Sequence, residues 1–305
     1  MQSFKESFTG IIWRALGTLL LFHGVITFMQ AEFEPEKIKI IRLTESSPFL
    51  PEGLSGLKIA YFADLHWKVG QEEEPLFKDL LARVRGESPH LILIGGDVAD
   101  QFLKKVPMEK IRKSLVPFLK QLKAPMGVFA VMGNHEAACG LKKYRLLLQE
   151  GGIRVLEGER ICLSLPGRDE KLLELTGIPE KRWFHKKAML PEKWKGDEKK
   201  EETFPLYFCH RPEVFDKLQQ QENRPFILLS AHYHGGLFAL PFLKNGFFIN
   251  KRKKKPFAPY IYGLYRKGEN LLYVTSGLSG GYFRSRCRIN LPRELVILTL
   301  QKGKR

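Results

Sequence analysis

Cysteine is scarce in this sequence, which has four in 305 residues, at positions 139, 162, 209 and 287, and no Cys-x-x-Cys pair. The wide spacing excludes a disulfide framework or a thiolate zinc ribbon and is typical of free thiols in a reducing compartment. Long hydrophobic runs are also few, since only one stands out near the N-terminus, and this excludes a polytopic membrane protein. With 44% hydrophobic and 27% charged residues, the composition is that of a globular protein.

Acidic residues are in short supply, with 33 Asp and Glu against 50 Lys and Arg and a formal net charge of +17. The imbalance is concentrated in residues 251–305, which hold 14 basic and two acidic residues, a net charge of +12. A surface this basic favours partners that carry phosphate, such as nucleic acid, anionic lipid headgroups or a nucleotide-linked substrate.

The hydrophobic run covers residues 15–31, where no Asp, Glu, Lys or Arg occurs over 17 positions. A membrane span needs about 20 apolar residues, with about 17 as the lower limit. The run can extend back to Phe8 if Arg14 snorkels to the interface. We therefore predict a membrane anchor within residues 1–31. A core helix and a cleaved signal peptide are the alternatives, although the sequence lacks a good cleavage site after the run.

Residues 32–56 are polar and rich in turn-forming residues, which predicts a linker or a strand that leads into the folded domain. After residue 56, strand patterns alternate with amphipathic helix patterns, which is typical of a right-handed βαβ core. The first predicted strands are 57–63, 90–94 and 126–131, and the helices are 75–86, 107–123 and 141–150. The later strand candidates are 153–156, 160–165, 172–177, 204–209, 226–230, 246–249, 271–275 and 294–300. We predict one α/β domain over residues 57–305, with two packed sheets.

Polar side chains follow five of the predicted strands, at the point where each strand ends. The five clusters are Asp64-Leu65-His66, Gly95-Gly96-Asp97-Val98-Ala99-Asp100, Gly133-Asn134-His135-Glu136, His210 and Ala231-His232-Tyr233-His234-Gly235-Gly236. Because the carboxyl ends of parallel strands meet at one edge of a sheet, we expect these side chains to converge there.

The donor atoms of these clusters are carboxylate oxygens, imidazole nitrogens and one amide oxygen, without a thiolate group. This set suits divalent Mn, Fe or Zn. Enough donors are present for two ions, and a carboxylate such as Asp97 can bridge a pair of them. A lone Asp-x-His or Gly-Asp pair arises by chance in many chains, but five clusters in order, each after an apolar run, favour a dinuclear metal centre.

The order of these motifs resembles that of the calcineurin-like metallophosphoesterases, which is Asp-x-His, Gly-Asp-x-x-Asp, Gly-Asn-His-(Glu/Asp), a lone His and Gly-His-x-His. The resemblance covers roughly residues 55–300 and implies an α/β fold, a four-layer α/β/β/α sandwich of two mixed sheets. It also implies a metal-dependent hydrolase that acts on a phosphodiester or pyrophosphate bond.

The same resemblance implies a set of site residues and cofactors. The ligands would be Asp64, His66, Asp97 and His234 for the first ion and Asp97, Asn134, His210 and His232 for the second. His135 would lie beside the scissile phosphate without binding a metal, and Asp100 would support the site from behind the ligands. The implied cofactors are two divalent metal ions, with Mn favoured over Fe or Zn.

Within this family the sequence resembles the YkuE/YaeI-like branch, whose members continue into an LPF turn, a YGLY segment, an LYVSRGLG segment and a PPEI-type final strand. The matching segments here are Leu240-Pro241-Phe242, Tyr262-Gly263-Leu264-Tyr265, Leu272-Tyr273-Val274-Thr275-Ser276-Gly277-Leu278 and Leu291-Pro292-Arg293-Glu294-Leu295. The sequence departs from the branch at Ala231 in place of Gly, Leu237 in place of Gln and Ser276 in place of Arg. The absent arginine would have contacted substrate, and the residues predicted to supply that charge instead are Arg284, Arg286 and Arg288.

The N-terminal run and the basic surface are similar to those of LpxG-type members of this branch, which cleave the pyrophosphate of UDP-2,3-diacylglucosamine in lipid A synthesis. This resemblance implies a lipid-linked nucleotide substrate, an anionic membrane surface as a partner, and a catalytic domain on the cytoplasmic face. A nuclease, another phosphoesterase and a catalytically inactive scaffold are the alternatives. Nucleic acid is not expected as a partner, because the basic residues are not interleaved with an aromatic stacking platform.

The segment 237–260 combines apolar and basic residues directly after the last predicted ligands. Phe242, Phe247 and Phe248 precede the basic run Lys251–Lys255. This pattern predicts a loop at the membrane interface whose aromatic side chains contact the acyl chains of the substrate. Two buried strands joined by a solvated turn are the alternative.

Overall fold

Two mixed β-sheets packed face to face form the centre of the fold, and helices cover the outer face of each sheet. The computed structural model of the chain describes residues 2–33, 37–70, 74–180, 195–196, 202–236, 258–279, 288 and 291–304. The α-helices are α1 (Gln2–Phe33), α2 (Pro75–Glu87), α3 (Met108–Leu119), α4 (Asn134–Cys139), α5 (Leu141–Glu150) and α6 (Phe215–Gln221). The strands are β1 (Ile38–Ser47), β2 (Lys58–Phe62), β3 (Leu91–Ile94), β4 (Val128–Ala130), β5 (Arg154–Val155), β6 (Glu159–Ser164), β7 (Lys171–Ile178), β8 (Lys195–Gly196), β9 (Phe204–Cys209), β10 (Ile227–Ser230), β11 (Gly263–Lys267), β12 (Asn270–Val274) and β13 (Arg293–Lys302).

In the first sheet, the described strands follow the order β1-β13-β2-β3-β4-β5. Strands β2 to β5 run parallel, and α2, α3 and the pair α4 and α5 lie in the connections between them. Strand β13 returns antiparallel beside β2, and β1 pairs parallel with β13. The parallel part is the alternation of strands and helices that the sequence predicts.

The second sheet has the order β11-β12-β10-β9-β7-β6-β8 in the part of the chain that the structure describes. Its central strands β7, β9, β10 and β12 are parallel. Strands β6 and β11 pair antiparallel with β7 and β12. The carboxyl ends of β9 and β10, which precede two of the predicted ligand clusters, therefore point the same way.

Alternating side chains of each strand contribute to separate hydrophobic layers. In β3, Ile92 and Ile94 pack towards α2, α3 and α5, whereas Leu91 and Leu93 pack between the sheets, as the two-residue period of a strand requires. Beyond the second sheet, Phe215 of α6 packs in a third layer. The layers run helix, sheet, sheet, helix, which confirms the predicted four-layer α/β/β/α sandwich.

Helix α2 shows how the sequence sets the local structure. Pro75 occupies its first turn, where a fixed φ and a missing N–H are tolerated. The apolar side chains that recur every three or four residues are buried against the sheet, and they are the predicted ones: Leu76, Phe77, Leu80, Leu81 and Val84. The helix ends before Ser88, which adopts a left-handed conformation.

The first sheet begins earlier in the chain than the predicted domain boundary at residue 57. Strand β1 lies in the segment for which the sequence left a linker and a lead-in strand open, and it pairs with β13 along its whole length. Prolines at positions 35 and 48 flank the strand. Because β1 lies at the edge of the first sheet, its side chains do not alternate regularly between buried and exposed positions. Predicted strand 246–249 lies outside the described residues.

Helix α1 contains the predicted hydrophobic run. Its window Thr9–Ile26 spans 18 residues with a mean hydropathy of 1.5, and none of it is buried. By length and composition it can cross a membrane, although a signal sequence has the same properties. Among the described residues, this is the one helix that could span a bilayer.

Candidate metal centre

Strained backbone marks the loops at the carboxyl ends of β2, β3 and β10. Six of the described non-glycine residues have a positive φ, and five of these are predicted ligands: Asp64 (55°), His66 (45°), Asp97 (49°), His232 (79°) and His234 (49°). A left-handed conformation costs about 1–2 kcal/mol for an L-residue. The surrounding structure must hold these residues in place, which is typical of a ligand site.

Backbone hydrogen bonds join these loops to each other. The amide of Asp64 donates to the carbonyl oxygen of Gly96 at 3.0 Å, and the amide of His66 donates to that of Asp97 at 3.0 Å. In the second sheet, the amide of Ala231 donates to the carbonyl oxygen of His210 at 3.0 Å. The predicted ligands are therefore carried by backbone that is itself fixed.

The carboxylate of Asp97 lies at the centre of the predicted ligands. Three imidazole nitrogens surround its Oδ2 atom, those of His210 at 3.2 Å, His66 at 3.8 Å and His135 at 3.9 Å. Burial opposes ionisation, but the attraction and hydrogen bond of His210 outweigh it and hold the pKa of Asp97 well below its usual range. Asp97 is an anion within a ring of nitrogen donors, as a bridging ligand must be.

Asp64, His66 and His234 form one group of converging donors. His66 Nε2 lies 3.3 Å from His234 Nε2, and Asp64 Oδ1 lies 3.9 Å from His234 Nε2. Burial lowers the pKa of His66 to about 3 and the pKa of His234 well below its usual range. Both are therefore neutral imidazoles with a lone pair to donate, as metal ligands must be.

Asn134, His210 and His232 form a second group of converging donors. His210 Nε2 lies 3.0 Å from Asn134 Oδ1 and 3.2 Å from His232 Nδ1. His210 Nδ1 lies 2.9 Å from the carbonyl oxygen of Gly95, which can only accept, so Nδ1 carries a proton and Nε2 faces the other donors. Although burial disfavours the charged ring, attraction to Asp97 raises the pKa of His210 to about 10. The carboxylates thus stabilise positive charge here, from a proton or a metal ion.

The environment of the Asp64 carboxylate indicates that these residues fit a metal ion. Both of its carboxylate oxygens are buried, and they have no hydrogen-bond partner among the described residues. Burial raises the pKa of Asp64 to about 7, opposed by the charge of His210 and assisted by that of Asp97. A buried carboxylate without partners is costly, and a divalent cation would stabilise it. Donor atoms lie within 4.8 Å of one another in three groups, Asp64-His66-His234, His66-Asp97-His135 and Asp64-Asp97-His210, so the donor set fits divalent metal.

His135 lies between the ligands and the turn that follows Asp100. Its Nδ1 accepts a hydrogen bond from the backbone N–H of Gln101 at 3.0 Å, so the proton of the neutral ring sits on Nε2. Asp100 accepts a hydrogen bond from the amide of Phe102 at 2.9 Å and thereby fixes the turn that carries Gln101. His135 can donate a hydrogen bond from its Nε2–H group, but its place among the grouped donors also allows metal binding. The metal content of a His135→Ala variant distinguishes the role in catalysis from the role as a metal ligand.

Glu136 is a site residue that the sequence reasoning missed. Its buried carboxylate accepts hydrogen bonds from the amides of Asp97 at 3.1 Å, Ala99 at 2.9 Å and Gly133 at 2.8 Å. It therefore ties the loop after β3 to the loop after β4. The only feature of the sequence that could have indicated a role for Glu136 is its place at the end of the Gly-Asn-His-Glu motif.

Arg211 is a second residue that was missed. Its Nε donates to Glu180 Oε1 at 2.7 Å, and its Nη1 lies 2.5 Å from His232 Nε2. The guanidinium group is therefore held by Glu180 beside the second group of donors. Its position directly after His210 could have indicated a role at the site, but the sequence alone does not show that Glu180 and His232 are its hydrogen-bond partners.

The turn of residues 276–279 supports Asp64 from behind. Gly277 has a φ of +71°, and a Cβ atom there would lie 2.6 Å from Asp64 Oδ2. Only glycine allows the turn to come this close to the carboxylate. The amide of Ser279 also donates to the carbonyl oxygen of Asp64 at 2.9 Å.

Arg288, predicted to contact substrate, instead holds this turn. Its side chain is only 5% exposed. It donates to the carbonyl oxygens of Ser276 at 2.6 Å, Ser279 at 2.9 Å and Pro292 at 2.9 Å. Burial lowers the pKa of Arg288 to about 9, a cost that these hydrogen bonds offset. The guanidinium group is committed to backbone carbonyls and is not presented to a substrate.

We expect Arg288→Ala to destabilise the fold, because it leaves buried carbonyl groups unpaired. The loss should be about 3 kcal/mol of unfolding free energy, measured by urea denaturation of the detergent-solubilised protein. Arg154→Ala removes an exposed arginine and is the matched control, with a change of about 0.5 kcal/mol or less. Unchanged stability together with a raised KM would restore the substrate-contact interpretation.

Several predicted contacts lie outside the described residues. They are the arginines Arg284 and Arg286, the aromatic residues Phe242, Phe247 and Phe248, and the basic run Lys251–Lys255. Their roles remain predictions. The seven predicted ligands are all described, and the structure brings them together with His135.

The chain is similar to known proteins along most of its length. The family described as Calcineurin-like phosphoesterase matches residues 57–236. The uncharacterized metallophosphoesterase YkuE of Bacillus subtilis (strain 168) is 28% identical over 273 residues, which cover 88% of this chain and 87% of YkuE. A transmembrane protein with metallophosphoesterase domain from Danio rerio is 27% identical over 310 residues, which cover 99% of this chain but 64% of that protein.

A third relative has a named activity. The UDP-2,3-diacylglucosamine pyrophosphatase LpxG of Chlamydia muridarum (strain MoPn / Nigg) is 33% identical over 122 residues. The aligned part covers 40% of this chain and 35% of that enzyme. The similarity is therefore partial on both sides.

Proposed function

This chain belongs to the calcineurin-like phosphoesterase family of metal-dependent phosphoester hydrolases, and we propose that it hydrolyses the pyrophosphate bond of UDP-2,3-diacylglucosamine at a membrane surface. The observation that carries the hydrolase activity is the convergence of six Asp, His and Asn side chains around Asp97. The substrate is supported by the partial similarity to LpxG, the net charge of +17 and the apolar helix α1.

Two divalent ions would be held by the two groups of donors. Asp64, His66 and His234 would hold one ion, Asn134, His210 and His232 would hold the other, and Asp97 would contribute to both. Bound divalent ions, Mn or else Fe or Zn, would neutralise charge on the phosphoryl oxygens and lower the pKa of a water molecule.

His135 stabilises the departing oxygen in this proposal. Hydrolysis adds water to one phosphorus atom and breaks its bond to the bridging oxygen, which leaves as part of the other phosphate group, and the protons of the water pass to the phosphate products or to solvent. The Nε2–H group of His135 donates a hydrogen bond to that departing oxygen and keeps its proton, while the amide of Gln101 keeps Nδ1 as an acceptor. Asp100 maintains this orientation through its hydrogen bond to the amide of Phe102.

Arg211 is suited to a phosphate-rich substrate. Glu180 fixes the guanidinium group through Nε, and a guanidinium fork can bind phosphoryl oxygens through its remaining N–H groups. The second phosphoryl group of a pyrophosphate would lie beside the metal centre, where Arg211 can reach it. Acyl-chain contacts with Phe242, Phe247 and Phe248 belong to the same proposal.

Membrane attachment is part of this function. We propose that residues 1–31 anchor the chain, with the catalytic domain on the cytoplasmic face. An anionic leaflet attracts basic residues near its surface by about 1 kcal/mol each. A strongly basic domain would therefore stay close to the lipid that it hydrolyses.

The substrate assignment is tested by offering the purified protein, with Mn²⁺, three substrates: UDP-2,3-diacylglucosamine, single-stranded DNA and a soluble phosphodiester. We expect fastest hydrolysis of the lipid-linked nucleotide, with UMP and the acylated sugar 1-phosphate as products, and no hydrolysis after chelation. The second candidate is a nuclease, because the net charge of +17 also suits a polyanion. Degradation of DNA alone would favour it and overturn the proposal.

A further inference from the structure

The first sheet brings the N-terminal helix to the same edge as the metal centre. Strand β1 starts at Ile38, which is level with Arg293 of the parallel strand β13. Strand β13 runs antiparallel to β2, with Val296 level with Tyr61. The same register, continued by three residues, puts Arg293 level with Asp64. The chain therefore enters the sheet at the edge that carries the predicted ligands.

The distances along this path are short. Helix α1 ends at Phe33, five Cα–Cα steps before Ile38, and five steps reach at most about 18 Å. Strands β1 and β2 are separated by β13, and two strand spacings amount to about 10 Å. The end of α1 thus lies within about 30 Å of the loop of Asp64. If α1 is held in a bilayer, this edge of the domain is the one kept near it.

Two neighbouring loops at the rim of the metal centre expose both apolar and basic side chains. Phe102 is 69% exposed and Val69 is 39% exposed. An isolated bridge between Trp67 and Ala99 joins the two loops that carry them. Three lysines of the same loops, Lys68, Lys104 and Lys105, are also exposed. We call these five residues the rim patch.

Apolar side chains flanked by lysines are the chemistry of a surface that binds an anionic bilayer. We propose that the rim patch docks onto an anionic membrane, with Phe102 and Val69 among the acyl chains and the lysines at the headgroups. A lipid-linked substrate could then reach the metal centre without leaving the bilayer, a consequence that rests on the proposed function. The turn that carries Phe102 also places the amide of Gln101 on His135, so the docked surface adjoins the catalytic histidine.

The opposite edge of the sandwich provides matched controls. Phe49 follows the carboxyl end of β1, away from the metal centre, and is 54% exposed. Lys120 and Lys123 follow α3, before β4 begins, and are exposed. They match Phe102 and the pair Lys104 and Lys105 in type and exposure but lie at the other edge.

The test is hydrogen–deuterium exchange of the full-length protein reconstituted in vesicles, with the peptide of residues 101–106 as the readout. In phosphatidylglycerol-containing vesicles, exchange should slow by roughly 10-fold relative to phosphatidylcholine vesicles. Phe102→Ser or Lys104→Gln/Lys105→Gln should remove this protection. The controls Phe49→Ser and Lys120→Gln/Lys123→Gln should retain it. Thermal unfolding midpoints check that each variant is folded.

The possible results distinguish membrane docking of the rim patch from hydrolysis of the proposed substrate. Equal exchange in the two kinds of vesicle, or equal effects of the rim and control variants, would overturn docking even if the protein hydrolyses UDP-2,3-diacylglucosamine. Protection that depends on the rim patch, found in a protein that does not hydrolyse this lipid, would support docking and contradict the proposed substrate. Protection by an added soluble protein rather than by vesicles would assign the patch to a protein partner and overturn the proposal.

Discussion

Asp97→Asn is expected to remove the bound metal and reduce phosphodiester hydrolysis to the background rate. The amide keeps the shape of the side chain and the acceptor for the backbone N–H of His135, which lies 2.8 Å from Asp97 Oδ1. What it removes is the negative charge that lies 3.8 Å from His66 of the first group and 3.2 Å from His210 of the second, and that raises the pKa of His210 to about 10. Without that charge, neither group holds a divalent cation firmly.

Inductively coupled plasma mass spectrometry would measure the metal, and a chromogenic phosphodiester would measure turnover. Asp169→Asn changes an exposed aspartate and serves as the matched control, with metal content and rate unchanged. Two ions per chain in the Asp97 variant would mean that Asp97 does not bridge them.

His135→Ala should lower turnover by roughly 10²- to 10⁴-fold, the usual size of a side-chain contribution to the transition state, while the metal content stays intact. The amide of Gln101 occupies Nδ1 of His135 and leaves the N–H group on Nε2, where it can donate a hydrogen bond to the departing oxygen. A substrate with a good leaving group, such as nitrophenolate, needs less stabilisation of that oxygen, so its rate should fall less than that of an alkyl diester.

Two results would contradict this role for His135. Loss of metal from the variant would show that His135 is a ligand, as its grouping with His66 and Asp97 permits. Equal losses on good and poor leaving groups would show that it does not stabilise the departing oxygen.

The sequence predicted an α/β domain with two packed sheets, and the meeting point of the polar clusters, because both depend on local patterns. The four layers were implied by the resemblance to the family. Strand β3 is a short apolar run, and its alternate residues face different layers. Clusters such as Asp64-Leu65-His66 directly follow parallel strands, so the sheet itself carries them to one edge. Neither inference needs a contact between distant residues.

The roles that the sequence could not predict depend on such distant contacts. Glu136 accepts a hydrogen bond from the amide of Asp97, which lies 39 residues away in the sequence. No local sequence pattern predicts this contact. The sequence predicted Arg288 as a substitute for the arginine absent at position 276, but the fold buries it against three carbonyl groups. Strand β1 pairs along its whole length with β13, which comes more than 200 residues later in the chain.

The site contains features that cost free energy in the folded protein, which indicates that they are kept for ligand binding rather than for the stability of the fold. Five residues hold left-handed backbone, and Asp64 is buried with no hydrogen bond to its carboxylate among the described residues. Each feature costs free energy in the protein alone. A pair of cations would offset these costs, because it stabilises the buried carboxylates that now repel one another.

Anomalous X-ray diffraction from crystals grown with Mn²⁺ tests the central claim most directly. The account predicts two anomalous peaks, one beside Asp64, His66 and His234 and the other beside Asn134, His210 and His232, with Asp97 in contact with both. Peaks elsewhere, or a single peak in a fully active protein, would contradict a shared dinuclear centre at this edge of the sheets.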